Sequence, residues 1–260
     1  MEDVGQESTT DHSPWLRLRA SAVHLYTASG AVIALLIMVA AYEGDVVKAL
    51  WLGLAALIID STDGLLARRF RVSEFLPSFD GARLDDIVDY MTYVLAPVLL
   101  LWSSGYLPEG TTGVVIAALP LLASSYQFCQ VDAKTEDHFF RGFPSYWNIV
   151  AFYAIVFGLD ASTVGAILFF CSLLVFVPLR YVYPSRTVAF KKITVALTAL
   201  WLLGYAAILF QMPAPGGPSD LLLNFTLLYL VYYVGLSLYL SAKMFQARRA
   251  EEEEEARSAA

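Results

Sequence analysis

The 260-residue chain is 58% hydrophobic and only 16% charged, with a mean hydropathy of +0.59. Soluble domains carry nearer a quarter charged residues and about half apolar ones, so the composition excludes an ordinary soluble domain and points to a polytopic membrane protein. The formal net charge of −7 does not call for a basic partner, because much of it comes from the glutamates at 251–255, which read as a solvated, disordered tail; no nucleic-acid partner is expected.

Taken in chain order, residues 1–14 are polar and acidic, unlike the basic start of a cleavable signal peptide. The segment 14–20 sets Trp15, Leu16 and Leu18 among Arg17 and Arg19. It reads either as a short amphipathic piece along the inner interface or as a plain leader into the first span. Crossing the hydrocarbon core takes about 20 apolar residues. Such runs occur at 21–42, 46–66, 84–102, 112–128, 187–210 and 221–240. The stretch 145–182 is too long for one span and carries Gly158 and Asp160 near its middle, so it is divided in two, the first half short. The fold expected is an all-α bundle of about eight transmembrane helices, a six-helix core plus extra helices. It is flanked by a cytosolic segment 1–20 and an acidic cytosolic tail 243–260, leaving a membrane domain at 21–242. With both termini inside, 16 of the 17 Lys and Arg fall on the cytosolic side and only Lys48 outside, as the positive-inside rule requires. Cys129 and Cys171 lie in apolar runs and are expected to be buried and unpaired.

Ionisable residues inside spans are costly and mark functional sites. Here Asp60 and Asp63 are three apart near the inner end of the second span, hence on one helical face. Gly81, Asp85 and Asp89 follow at four-residue steps near the start of the third, and they too share a face. Antiparallel neighbours place both acidic pairs roughly 5–15 Å from the cytosolic end. Four carboxylates so gathered repel one another unless cations sit among them. Two hard divalent ions with oxygen ligands would balance the charge and suit displacement at phosphorus. Gly64 and Ala67 are small enough to admit a flat ligand to the backbone, and Arg68 can reach a phosphate with its planar fork. The structural alternative pairs the acids with Arg68, Arg69 and Arg83; for Asp80 and Asp86, which miss the pattern, it is the preferred reading.

The stretch Asp60-x2-Asp63-Gly64-x2-Ala67-Arg68-x12-Gly81-x3-Asp85-x3-Asp89 resembles the signature of the CDP-alcohol phosphotransferase family. The twelve-residue gap after Arg68 resembles the bacterial phosphatidylcholine synthase branch, as do residues 22–30, 89–95 and the Gly142-Phe143-Pro144-x2-Trp147-Asn148 segment. The resemblance covers residues 22–148 and the last three spans by architecture only; Phe79-Asp80 before Gly81 is a departure from it. It implies that Asp60, Asp63, Asp85 and Asp89 bind two divalent cations, Mn2+ or Mg2+, with Asp89 also deprotonating the alcohol. It implies further that Asp63, Gly64, Ala67, Arg68 and Gly81 line the CDP site. The substrates implied are CDP-diacylglycerol and choline, in a homodimeric multi-pass protein of the bacterial inner membrane, among membrane phospholipids, with its active site facing the cytosol.

A quaternary ammonium is recognised by aromatic faces. Tyr90 and Tyr93 stand beside Asp89 in the sequence, and topology adds Tyr26, Phe139, Phe140, Tyr146, Trp147 and Tyr153 on the same side; the choline site is assigned to Tyr90, Tyr93, Tyr26, Tyr146 and Trp147. His24 reads as a polar residue satisfied at a helix mouth, with contact to the substrate as the alternative, and Glu136 and Asp137 read as loop charges. Two alternatives stay open: the same chemistry on another alcohol (serine, inositol or glycerol phosphate), and a cation transporter, which would place its acids nearer the midplane.

Overall fold

The computed structural model describes residues 14–135 and 137–258. Helices α1 (Pro14–Glu43) and α2 (Val46–Arg69) pack as a hairpin. The reversal takes Gly44, at φ 75°, and Asp45, whose carboxylate accepts from the Lys48 amide and caps α2. The leader 14–20 is the plain continuation of α1, with Arg19 stacked 4.6 Å over Phe70 at the end of α2. A single turn, α3 (Val72–Phe75), leads to α4 (Gly81–Asp89). The chain then widens into a π-helical stretch, Tyr90–Leu95, and resumes as α5 (Ala96–Ser103). Pro97 explains the widening, since it has no N–H to give the Tyr93 carbonyl and its ring crowds that oxygen.

Helix α6 (Gly110–Cys129) crosses next, followed by α7 (Trp147–Val156) and α8 (Ala161–Val175). The break expected in 145–182 falls where predicted: Gly158 takes φ 59° and Asp160 caps α8 by accepting from the Ser162 and Thr163 amides. Helices α9 (Lys191–Gln211) and α10 (Asp220–Ser258) complete the bundle. The chain is thus mostly helical and multi-pass: α1, α2, α6, α9 and α10 through Gln246 are long and apolar enough to span a bilayer, and α7 and α8 are shorter apolar helices. Large apolar side chains also cover the outside, with Leu25, Leu122, Leu203, Phe210 and Leu228 between 66% and 76% exposed. Such a surface is stable only against lipid.

Three expectations need correcting. The protein is not purely helical: β1 (Phe139–Arg141) and β2 (Arg180–Val182) pair antiparallel, Phe140 opposite Tyr181. The far edge of β2 is satisfied by α10, where Ser241 and Ser237 accept the Arg180 and Val182 amides and Tyr233 donates to the Val182 carbonyl. Second, the glutamate run continues α10 to Ser258 instead of forming a disordered tail; good helix formers need only propagate a helix already nucleated upstream. Third, both cysteines are unpaired, but Cys129 is exposed on α6. Glu136 and residues 1–13 lie outside the described residues.

The core joins α1, α2, α5, α7 and α9. Phe152 of α7 stacks on Tyr205 of α9 at 3.7 Å, and Trp201 donates to the Tyr153 hydroxyl. These contacts, all distant from the acids in sequence, hold the frame against which α2 and α4 meet.

Candidate active site

Asp60 and Asp63 lie on the last turns of α2, and Asp85 and Asp89 on α4. The start of α4 is fixed by Asp80, which accepts from the Arg83 amide and pairs with the Arg83 guanidinium at 3.7 Å. That gives the acid which departs from the family pattern a capping role. Two glycines let α4 press on α1: a Cβ at Gly81 would stand 2.7 Å from His24 Cε1, and one at Gly30 would stand 2.5 Å from Val88 Cγ1.

The result is a junction of carboxylates. Oxygens of Asp60, Asp85 and Asp89 all lie within 4.8 Å of one another, each side chain partly buried. Asp63 stands apart from this trio: it is 6% exposed, accepts from the Gly64 amide, and adjoins Thr27 and Asp85. Tyr93, brought round by the π-helical stretch, donates to Asp60 at 2.6 Å.

Arg68, Arg69 and Arg83 do not neutralise these acids. Among the described residues the one cation in salt-bridge range is Lys134, 3.7 Å from Asp85 and 3.1 Å from Asp86. Burial works against the Lys134 ammonium, but Asp86 and Asp85 outweigh it and hold its pKa above the ordinary lysine value. Sequence reasoning missed Lys134, since a loop lysine on the cytosolic side is unremarkable until the loop is placed. Its placement follows from the β1–β2 pairing and from a bridge between Lys134 and Phe140. One lysine among four motif carboxylates, with Asp86 as a fifth, leaves a large negative excess in a confined volume. Clustered hard oxygen donors of this kind fit divalent cations.

Two cavities meet at the junction. The first, about 1130 Å³, is lined by His24, Thr27, Asp63, Gly64, Ala67, Arg68, Phe79, Gly81 and the loop residues Lys134 and Arg186. The second, about 750 Å³, is lined by Asp89, Tyr93, Phe128, Phe140, Tyr146, Tyr183, Trp201, Tyr229 and Tyr233. Asp60, Asp85, Arg68 and Lys134 border both. All residues expected at the CDP site therefore line the first cavity, and Asp89 opens onto the second alone. Gly64 keeps Arg68 close, since a Cβ there would stand 3.3 Å from Arg68 Nη1.

The aromatic assignments divide. Tyr93 and Tyr146 line the second cavity, but Tyr90, Tyr26 and Trp147 line neither cavity. Tyr90 donates to the Leu121 carbonyl and meets Ser125, tying the π-helical stretch to α6; Tyr26 bonds Thr62 between α1 and α2; Trp147 is fully buried with its Nε1 on Ser124. These three hydroxyl or indole groups spend their hydrogen bonds on helix packing. The other rings of the second cavity, Tyr183, Trp201, Tyr229 and Tyr233, come from β2's flank, α9 and α10. Phe140, named only as a topological neighbour, joins them. No local signal near Asp89 marks the remote residues.

A model of the CDP-alcohol phosphatidyltransferase family matches residues 23–240, which include every motif acid. The chain belongs to that family. It is therefore a phosphatidyltransferase of a divalent-cation-dependent kind, and the cation-transporter alternative falls. Similar proteins include a phosphatidylcholine synthase of Legionella pneumophila, 39% identical over 234 residues, spanning 87% of this chain and 90% of the relative. A phosphatidylcholine synthase of Pseudomonas aeruginosa is 35% identical over 232 residues, 89% and 95% of the two chains. One from Legionella bozemanae is 48% identical over 157 residues, 60% and 72%.

Proposed function

We infer that the protein transfers the phosphatidyl group of CDP-diacylglycerol to choline, producing phosphatidylcholine and CMP. The observation that carries this reading is the acid junction itself: three carboxylates within 4.8 Å, set between a polar cavity and an aromatic one, in a chain whose relatives are phosphatidylcholine synthases.

Asp60, Asp63, Asp85 and Asp89 would hold two divalent cations, Mn2+ or Mg2+. When bound, such ions supply Lewis-acid stabilisation of the attacking and leaving oxygens. The nucleotide diphosphate occupies the first cavity, with Arg68 as the guanidinium contact for phosphate. Choline occupies the second, where Tyr93, Tyr146, Phe140 and Tyr183 offer ring faces to a cation that cannot donate a hydrogen bond. Asp89 takes the hydroxyl proton of choline. The freed oxygen attacks the phosphorus bearing diacylglycerol, and the bond from that phosphorus to the CMP oxygen breaks. The two substrates meet across the shared acidic wall, where Asp60 and Asp85 border both cavities.

In this reading the junction faces the cytosol at the bacterial inner membrane, with eight crossings and both termini inside; the excess of Lys and Arg in the segments so assigned supports it. Purified protein given CDP-diacylglycerol, Mn2+ and choline is expected to release CMP and form phosphatidylcholine. Release with serine and none with choline would overturn the choice of acceptor.

A further inference from the structure

The first cavity contains a polar atom that the transfer reaction leaves unused. His24 Nε2 is buried and has no hydrogen-bond partner among the described residues. The sequence reading, a histidine satisfied at a helix mouth, does not hold: the ring sits in the cavity wall, held against Gly81 so closely that a Cβ there would collide with it. Its other neighbour is Phe79, with ring centroids 4.3 Å apart at 40°. Phe79 is 49% exposed and lines the same cavity. An unmet buried nitrogen is costly, and a ligand that supplies a partner recovers that energy.

The chemistry of the pair selects which part of a nucleotide it can serve. Phosphate offers only acceptors and charge, and the cavity already holds Arg68, Lys134 and Arg186 for it. A nucleobase offers a hydrogen-bonding edge and a flat π face. An imidazole nitrogen next to an exposed phenyl ring matches both, the nitrogen to the edge and the ring to the face. We propose that His24 and Phe79 form the base-recognition end of the donor site, His24 hydrogen-bonding the nucleobase of the CDP group and Phe79 stacking on it. The inference rests on the reading of the first cavity as the nucleotide site. It also gives a use to Phe79, which together with Asp80 departs from the family pattern: Asp80 caps the helix and Phe79 faces the base.

The test is equilibrium binding of CMP and, separately, of inorganic pyrophosphate to the full-length purified protein with Mn2+. His24→Ala and Phe79→Leu are each expected to weaken CMP binding by about tenfold and to leave pyrophosphate binding unchanged, while the choline KM stays at the wild-type value. Phe79→Leu guards against a folding defect in the histidine variant, because Phe79 is half exposed. Unchanged CMP affinity in both variants would overturn the proposal, as would an equal loss of pyrophosphate affinity, which would place the effect at the phosphates or in the fold. If wild-type protein itself binds no CMP, it is the nucleotide reading of the cavity that fails.

Discussion

The two cavities share a wall yet differ in almost everything else. The first is built largely from residues 23–85, runs of sequence that are close along the chain, and its lining carries charges of both signs, Asp60, Asp63 and Asp85 facing Arg68, Lys134 and Arg186. The second draws on α4, α6, the β1–β2 flank, α9 and α10, with Trp201 and Tyr233 lying 141 and 173 positions beyond Asp60 in the chain, and its lining is aromatic. If the cavities take donor and acceptor as proposed, the contrast teaches that donor recognition is encoded locally, by a motif on one helix hairpin and its continuation, whereas acceptor choice is encoded by tertiary packing. Variants that keep the motif can thus retain the chemistry while changing the alcohol.

This division can be broken or sharpened by substitution. The largest effect is expected at the wall, on the acceptor side: Asp89→Asn should lower kcat by about 10³-fold while CMP still binds the first cavity, measured as CMP release and as CMP affinity. Next, Arg68→Ala should raise the KM for CDP-diacylglycerol by about tenfold through loss of a charge-assisted contact, with the choline KM unmoved. Tyr146→Leu should do the reverse, raising the choline KM by about fivefold with the donor KM unmoved; steady-state kinetics with each substrate varied in turn separates the two. Smallest, Tyr90→Phe should leave the choline KM unchanged and cost about 1 kcal/mol of stability through its bonds to Leu121 and Ser125, read by thermal unfolding in detergent. An increase in choline KM in that last variant would return Tyr90 to the acceptor site and blur the contrast.

What was legible in the sequence follows the same line. Asp60 and Asp63, or Gly81, Asp85 and Asp89, lie on one face because helical periodicity puts them there, and no tertiary information is needed. The split between α7 and α8 was legible because Gly158 and Asp160 act within a few residues. Lys134 was not, since only the pairing of Phe139–Arg141 with Arg180–Val182 carries its loop over the acids. That Tyr90 and Trp147 line neither cavity was not legible for a related reason: proximity to the motif along the chain does not say which way a ring turns, and their polar atoms are claimed by α6. Tyr93 turns toward Asp60 through a π-helical stretch whose only sequence trace is Pro97.

The central claim, that the acids of α2 and α4 form one divalent-ion site between the cavities, is tested most directly by counting bound Mn2+ on the purified protein by electron paramagnetic resonance. The account predicts saturable binding of two ions per wild-type chain and loss of tight binding in Asp85→Asn, whose carboxylate borders both cavities. Wild-type protein that binds no Mn2+, or an Asp85→Asn variant that binds it as the wild type does, would contradict it.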